Sequence, residues 1–465
     1  MSCENSGLLA FLSCQIGAKE PALKLLLSVF AGYPLAFVYR KYVYNKEPTI
    51  QHLFFTLTGL SLGLWNYGLD IFHCVFTILC TYCCLFFLPG TFVSVVATFV
   101  FNLGYLLMGY YYTSTNDYDI IWTMPQCILC LRLIAVAFDL YDGRQDPEKL
   151  SAENKKVALK EIPTLTEMFG QCFFPSAFLV GPQFSMKRYQ DFVSGKFNNK
   201  NCPPDSASAA ARRFGLGLLY LVVFQILGLY VSDSYMESEE FGNEWMWKKM
   251  ILMGVWGRFQ LYKYISCWLL TEGACILFGM SQNGEKEDGT VKWDGVENIK
   301  LAVFENTLEF NDYIVAFNVN TNHWVAQYIY KRLKFLNNRH VSQFAALFFL
   351  AVWHGFHDGY YVCFFFEFMV ILMERDIKSI VKKDERLSKL FGSEAMKIPL
   401  QIVLRLYTFT FMGWCLMPFG LLQFHRYWRA FGNVNYVGIL LFVAWPVIYS
   451  PLVKLILKNT KTKNA

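Results

Sequence analysis

Long apolar runs separated by polar connections dominate the chain. Runs near 22–39, 53–69, 71–88, 92–112, 120–140, 214–231, 250–277, 343–373, 398–424 and 437–457 approach or exceed membrane length. About 20 apolar residues cross a hydrocarbon core as a helix, so each run predicts a spanning helix. The apolar stretch 169–184 is broken by Gly170, Pro175, Gly181 and Pro182. It predicts a short or re-entrant segment, tolerated only where protein or water satisfies its backbone. The expectation is an all-α, polytopic integral membrane protein of about eleven transmembrane helices, with further re-entrant and interfacial helices. The long polar connections fall at 142–164, 186–213, 232–249, 281–338 and 374–397. The fourth carries Trp293-Asp294, then the asparagine-rich run 317–324. After it, Trp324, Val325, Tyr328, Ile329, Leu333 and Leu336 recur at helical spacing, with Lys331, Arg332 and Lys334 on other faces. That pattern predicts an amphipathic helix at the membrane boundary, with an asparagine or threonine near its N-cap.

Composition agrees with the pattern. Hydrophobic residues make up 55% of 465 and charged residues 17%, against about 25% charged in soluble domains. No internal repeat or low-complexity tract is visible. Residues 1–20 lack a basic leader region, and 8–14 is a short apolar run, so the span starting at Ala22 is expected to act as its own insertion signal. Most of the fourteen cysteines lie inside apolar runs, including the Cys80/Cys83 and Cys127/Cys130 pairs. There a cysteine behaves as a small hydrophobe, so neither a disulfide scaffold nor a redox motif is expected. The net charge of +6 is spread over loops, notably 144–160 and 375–397, which favours their cytosolic placement. The end of the chain carries Lys461 and Lys463, fifth and third from the terminus. A cytosolic tail over 458–465 with a dilysine-type retrieval signal follows, and with it the endoplasmic reticulum membrane. No basic helix or aromatic platform outside the membrane supports nucleic acid binding.

The chemistry-bearing residues concentrate in one apolar run. Trp353-His354-Gly-Phe-His357-Asp358-Gly-Tyr360-Tyr361 is flanked by aliphatic and aromatic residues on both sides. A central charged group costs about 2.5–3.5 kcal/mol on insertion scales, and such residues usually serve chemistry or transport. On one continuous helix His354, His357, Asp358 and Tyr361 share a face, with Gly355 and Gly359 beside it allowing close backbone approach. A neutral, positioned imidazole is what a general base needs. A metal reading is weaker: only seven histidines exist, and the other five are scattered. No Gly-x-Ser-x-Gly elbow is present. The competing class is a transporter with a His/Asp proton path, against which stands the lack of repeat symmetry.

Residues 353–364 match Trp-His-Gly-x-x-x-Gly-Tyr-x-x-x-Phe, and this segment resembles the signature of the membrane-bound O-acyltransferase family, lysophospholipid branch. Trp293-Asp294 resembles a second motif of that branch, and 317–324 its asparagine region. The similarity extends through 109–112, 122–125, 181–186 and 271–277. It departs at Trp414–Phe419, where the family tends to show Tyr-x-x-x-x-Phe, and at 431–439, which lacks a terminal histidine. The resemblance implies one membrane-bound O-acyltransferase domain over 1–465, with a catalytic region near 290–375 around a central chamber. It implies His354 as general base and Asn318 as oxyanion or orienting partner. Trp293, Asp294, Lys331, Arg332, His357 and Tyr360 are candidate substrate contacts; Lys331 and Arg332 are equally well explained as a positive-inside stripe.

The reaction implied is transfer of an acyl chain from acyl-CoA to the sn-2 hydroxyl of a lysophospholipid. Acyl-CoA is then a co-substrate, with no resident cofactor or metal. The expected acceptor is lysophosphatidylcholine, with lysophosphatidylethanolamine and lysophosphatidylserine beside it, and the donor arachidonoyl- or linoleoyl-CoA. Lysophosphatidylinositol, a sterol or diacylglycerol are alternative acceptors. Membrane lipids are partners, and a homodimer is compatible with the family.

Overall fold

The computed structural model describes residues 7–15, 18–197 and 205–463. Asn464 and Ala465, the end of the expected retrieval signal, lie outside them. The main helices are α1 (Glu20–Val38), α2 (Pro48–Tyr67), α3 (Phe72–Phe87), α4 (Phe92–Thr113), α5 (Thr123–Gly143), α6 (Leu165–Cys172), α7 (Met186–Val193), α8 (Ala207–Gly228) and α9 (Met246–Phe278). They continue with α10 (Phe310–Ala316), α11 (Val319–Val325), α12 (Arg339–His354), α13 (Asp358–Lys383), α14 (Glu394–Leu421), α15 (Phe424–Asn433) and α16 (Ser450–Lys463). Among the described residues there is no β-strand, only the isolated bridges Glu285–Val291 and Ile299–Phe317. The protein is an all-α, polytopic membrane protein. Seven stretches among the described residues are long and apolar enough to cross a bilayer: 20–43, 48–87, 92–113, 123–143, 207–228, 394–421 and 439–457. Residues 48–87 count there as one piece, and α9, α12 and α13 fall outside that set, so these seven do not fix the count of eleven.

The chain forms two compact units, each assembled from three separated stretches. The first comprises 1–221, 265–298 and 320–332. Its centre holds Tyr39, Phe55, Phe174, Phe192 and Phe278, ring against ring at 4.8–6.1 Å. The expected broken segment lies here: α6 ends at Cys172 and irregular backbone runs to α7. Its carbonyls are satisfied by one buried side chain of α5. Arg132 donates to Gln171 O (2.8 Å), Cys172 O (3.1 Å), Ala177 O (2.8 Å) and Pro182 O (3.2 Å). It also donates to Gln183 Oε1 (3.3 Å). This is the internal satisfaction that non-helical backbone at membrane depth requires.

The segment read as an interfacial helix differs from expectation. Its first turns are α11, after which Ala326–Tyr330 widen into π-type turns and Lys331–Leu336 tighten into a 3-10 helix. Its apolar face packs on α5 rather than on lipid. Trp324 Nε1 donates to Leu131 O (2.9 Å), and Tyr328 Oη to Asp139 Oδ1 (2.7 Å). Only its end keeps large apolar side chains exposed, at Phe335 and Leu336. Apolar periodicity reports a buried face but not what buries it.

The second unit comprises 222–264, 299–319 and 333–465. Trp256, Phe366, Trp414, Phe431 and Phe442 are buried at its core. The apolar run at 343–373 is not one span. It is α12 and α13, separated by three non-helical residues.

Candidate active site

Gly355 causes that break. Its φ of +119° and ψ of −157° lie in a region essentially restricted to glycine, so α12 stops at His354. The chain passes through Phe356 and His357 in non-helical conformation and restarts at Asp358. His354, His357, Asp358 and Tyr361 therefore do not share the face of one continuous helix, contrary to the sequence expectation. Gly355 caps a helix instead of lining a contact. Gly359 does permit close approach: its N–H donates to Leu422 O (3.1 Å), and a Cβ there would sit 2.0 Å from Pro418 O.

At the end of α12, His354 Nδ1 lies 2.7 Å from the carbonyl of Leu350. A carbonyl only accepts, so Nδ1 carries the proton in this contact. In the neutral ring that leaves Nε2 with its lone pair, the form a base requires. Rings surround the half-buried imidazole: Trp353 at 4.7 Å, Tyr360 at 5.5 Å, Phe364 at 5.4 Å and Phe419 at 5.3 Å between centroids. Tyr360, a candidate contact from sequence, is thus brought to His354 and also touches His357 (5.7 Å) and Phe419 (5.0 Å). Asp358 accepts from Tyr427 Oη at 2.6 Å.

Asn318 belongs to the same unit and sits between α10 and α11 at φ +49°. Asparagine tolerates this left-handed conformation better than most residues. The helix before it is tied to the elements that carry the ring cluster. On α10, Phe310 N donates to Glu374 of α13 (3.1 Å), and Tyr313 Oη to Thr408 O of α14 (3.3 Å). Just beyond, Lys300 N donates to Ala316 O (2.8 Å) beside the Ile299–Phe317 bridge.

Two residues on, Asn320 does different work. Its Nδ2 donates to Val296 O (3.2 Å), Glu297 O (3.0 Å) and Asn298 Oδ1 (3.1 Å), and its N–H also reaches Asn298 Oδ1 (3.1 Å). Asn298 N donates in turn to Glu272 Oε1 (2.7 Å). Arg213 bridges Glu272 and Glu297, each at 2.7 Å. The sequence reading did not single out Arg213 or Asn298, and named Phe419 only within the segment 414–419. A signal was available in Glu272, a carboxylate inside the apolar run 250–277.

The other candidates belong to the first unit. Trp293 packs half-buried against that unit's core, while exposed Asp294 accepts from Asn283 Nδ2 (2.8 Å). Lys331 is paired with Glu153, and that contact holds the Glu153 carboxyl below its ordinary range. Arg332 clasps Asp142 with both terminal nitrogens, at 2.9 and 2.5 Å, and lies over the Phe138 ring. Both cations are thus engaged by carboxylates. Cys80, Cys83, Cys127 and Cys130 form no disulfide. Among the described residues no three His, Cys, Asp or Glu side chains gather as a ligand set.

The sequence profile of the membrane-bound O-acyltransferase family matches residues 107–421, a stretch that includes His354, Asn318 and the ring cluster. The chain belongs to the membrane-bound O-acyltransferase family. It is 44% identical over 450 residues to lysophospholipid acyltransferase 5 of Drosophila melanogaster, covering 96% of this chain and 90% of that protein. Lysophospholipid acyltransferase 5 of Mus musculus is 42% identical, with 93% and 89% covered. The protein of that name from Caenorhabditis elegans is 35% identical, with 98% and 97% covered. As a membrane-bound O-acyltransferase the chain is an enzyme that transfers acyl groups. Its departure from the family pattern within 414–419 is Trp414 in place of a tyrosine, while Phe419 keeps the phenylalanine. Phe419 touches the imidazole, while Trp414 is fully buried against Phe366 and Phe431.

Proposed function

We propose that this acyltransferase re-acylates lysophospholipids from acyl-CoA, with lysophosphatidylcholine as principal acceptor and lysophosphatidylethanolamine and lysophosphatidylserine beside it. The carrying observation is the near full-length similarity to proteins named lysophospholipid acyltransferase 5. In this reading His354 Nε2 takes the proton of the sn-2 hydroxyl as that oxygen attacks the thioester carbonyl. The C–S bond breaks, the thiolate of CoA leaves, and the proton passes to it from the imidazolium. Asn318 donates to the oxyanion, or holds the imidazole. The tautomer favoured by Leu350 O supports the role of Nε2. The apolar rings around it suit a long acyl chain, and arachidonoyl and linoleoyl chains are the proposed donors. The carboxylate partners of Lys331 and Arg332 favour a structural role for this stripe over direct contact with CoA phosphates. The site is proposed to lie in the endoplasmic reticulum membrane, with the tail in the cytosol.

Membranes expressing the chain, given a matrix of lysophospholipids and acyl-CoAs, test this reading. The expected result is fastest formation of phosphatidylcholine with a polyunsaturated sn-2 chain. Transfer only to lysophosphatidylinositol, a sterol or diacylglycerol would overturn it.

A further inference from the structure

Four carboxylates lie on α13, and three of them have partners. Asp358 accepts from Tyr427 Oη, Glu374 from Phe310 N and Tyr407 Oη (3.1 Å each), and Asp376 pairs with Lys454 (2.8 Å). The fourth, Glu367, stands inside the apolar run 343–373 and is half-buried. Among the described residues it forms no hydrogen bond and no ion pair, and no cation faces it. The titratable groups that feel its charge are two buried thiols, Cys363 one turn earlier and Cys415 of α14. Both carboxylate oxygens stay accessible rather than sealed in the packing. A carboxylate held without a partner at membrane depth is costly and calls for a ligand that meets it.

Its place on the helix says which ligand. Tyr360, Phe364 and Glu367 fall at i, i+4 and i+7 and share one face of α13. Phe364 lies 5.4 Å from the His354 ring and 6.5 Å from Phe419, and Tyr360 lies 5.5 and 5.0 Å from the same two. Glu367 is one turn further, about 4.5 Å along the axis from Phe364. Helical side chains lean towards the N-terminus, so its carboxylate leans back over the ring cluster. Aromatic faces attract an alkylated ammonium, and an unpaired carboxylate supplies the counter-charge. Eight bonds separate the sn-2 oxygen of a lysophospholipid from its head-group nitrogen, roughly 10 Å when extended. With that oxygen at His354 Nε2, the nitrogen reaches the turn that holds Glu367. We propose that Glu367 is a specificity-determining residue for the acceptor, binding the ammonium of a choline, ethanolamine or serine head group. The assignment rests on the acceptor reading given above. Lysophosphatidylinositol, a sterol and diacylglycerol bring no cation and leave this carboxylate unpaired, which disfavours them.

Lysophosphatidylcholine and its analogue with carbon in place of the head-group nitrogen differ in charge but hardly in shape. Purified enzyme in nanodiscs, given each acceptor with arachidonoyl-CoA, tests the assignment through the ratio of the two kcat/KM values. Wild type should prefer the choline lipid by on the order of 30-fold, the worth of a sheltered cation site. Glu367→Gln, close to isosteric, should cut the ratio to a few-fold, the share left to the rings. The change should fall on the KM for lysophosphatidylcholine more than on kcat. Glu367→Asp should keep part of the preference. Because the ratio is taken within one preparation, partial loss of folded enzyme does not move it. Equal use of both acceptors by wild type, or a wild-type ratio in Glu367→Gln, would overturn the proposal. So would a raised KM for acyl-CoA with the ratio kept, which would assign the carboxylate to the amides of CoA. A wild type that forms no phosphatidylcholine would overturn the acceptor reading itself, and this assignment with it.

Discussion

At the residue scale the site turns on contacts that distinguish chemically similar side chains. His354 and His357 are three positions apart, yet only His354 has its Nδ1 fixed on a carbonyl and rings on several sides. Asn318 and Asn320 divide in the same way. Asn320 spends its amide on three acceptors of the 296–298 segment, so Asn320→Ala should lower the thermal unfolding midpoint. Each lost hydrogen bond is worth about 0.5–1.5 kcal/mol. Asn318→Ala should reduce kcat by about 10²–10³, the usual cost of an oxyanion donor, a loss that Asn320→Ala should not share. Equal effects of both variants on turnover would contradict the division. The candidate pair was legible in the sequence through its motif. What divides the asparagines was not, because it depends on Asn298 and Glu272, brought to Asn320 only by folding. Gly355 shows the opposite case, a residue visible in the motif whose role was misread. Spacing alone cannot separate a glycine that admits a neighbour from one that ends a helix at positive φ. Gly355→Ala should strain the backbone by about 1–3 kcal/mol and reduce turnover by displacing His354, measured as kcat alongside melting.

At the element scale, apolar run length gave most helices to within a few residues, because lipid demands internally satisfied backbone. The run at 169–184 was read correctly as broken. Its partner was hidden, since nothing in the sequence around Arg132 distinguishes a functional intramembrane cation from a staple. Arg132→Met should leave several buried carbonyls without donors, and at about 1–3 kcal/mol for each unsatisfied group the enzyme should fail to survive detergent extraction. Arg132→Lys should rescue poorly, because one ammonium cannot reproduce the fork; full recovery by lysine would contradict the staple. The segment following Asn318 was read as interfacial because its periodicity is amphipathic, yet Trp324 and Tyr328 pack on α5. Its charges make separate predictions. Arg332→Gln leaves Asp142 buried without its cation, a loss of about 3–5 kcal/mol for a broken buried pair. Lys331→Gln removes a partly exposed pair and should cost under about 1 kcal/mol. Chemical denaturation of both variants in nanodiscs checks the ordering.

At the scale of the whole molecule, the two units interleave along the chain, so the candidate residues divide between them in a way no linear reading anticipates. Asn318, His354, His357 and Tyr360 belong to the second unit, whereas Trp293, Asp294, Lys331 and Arg332 belong to the first. The proposed chemistry nevertheless rests on one proton acceptor. Single-turnover transfer from arachidonoyl-CoA to lysophosphatidylcholine, compared between wild type and His354→Ala in the same nanodiscs, tests that claim directly. The expected result is a loss of about 10²–10⁴ in rate, the contribution of a positioned base, in a protein that still melts cooperatively, and a much smaller loss in His357→Ala. Near wild-type turnover in a folded His354→Ala enzyme would contradict it.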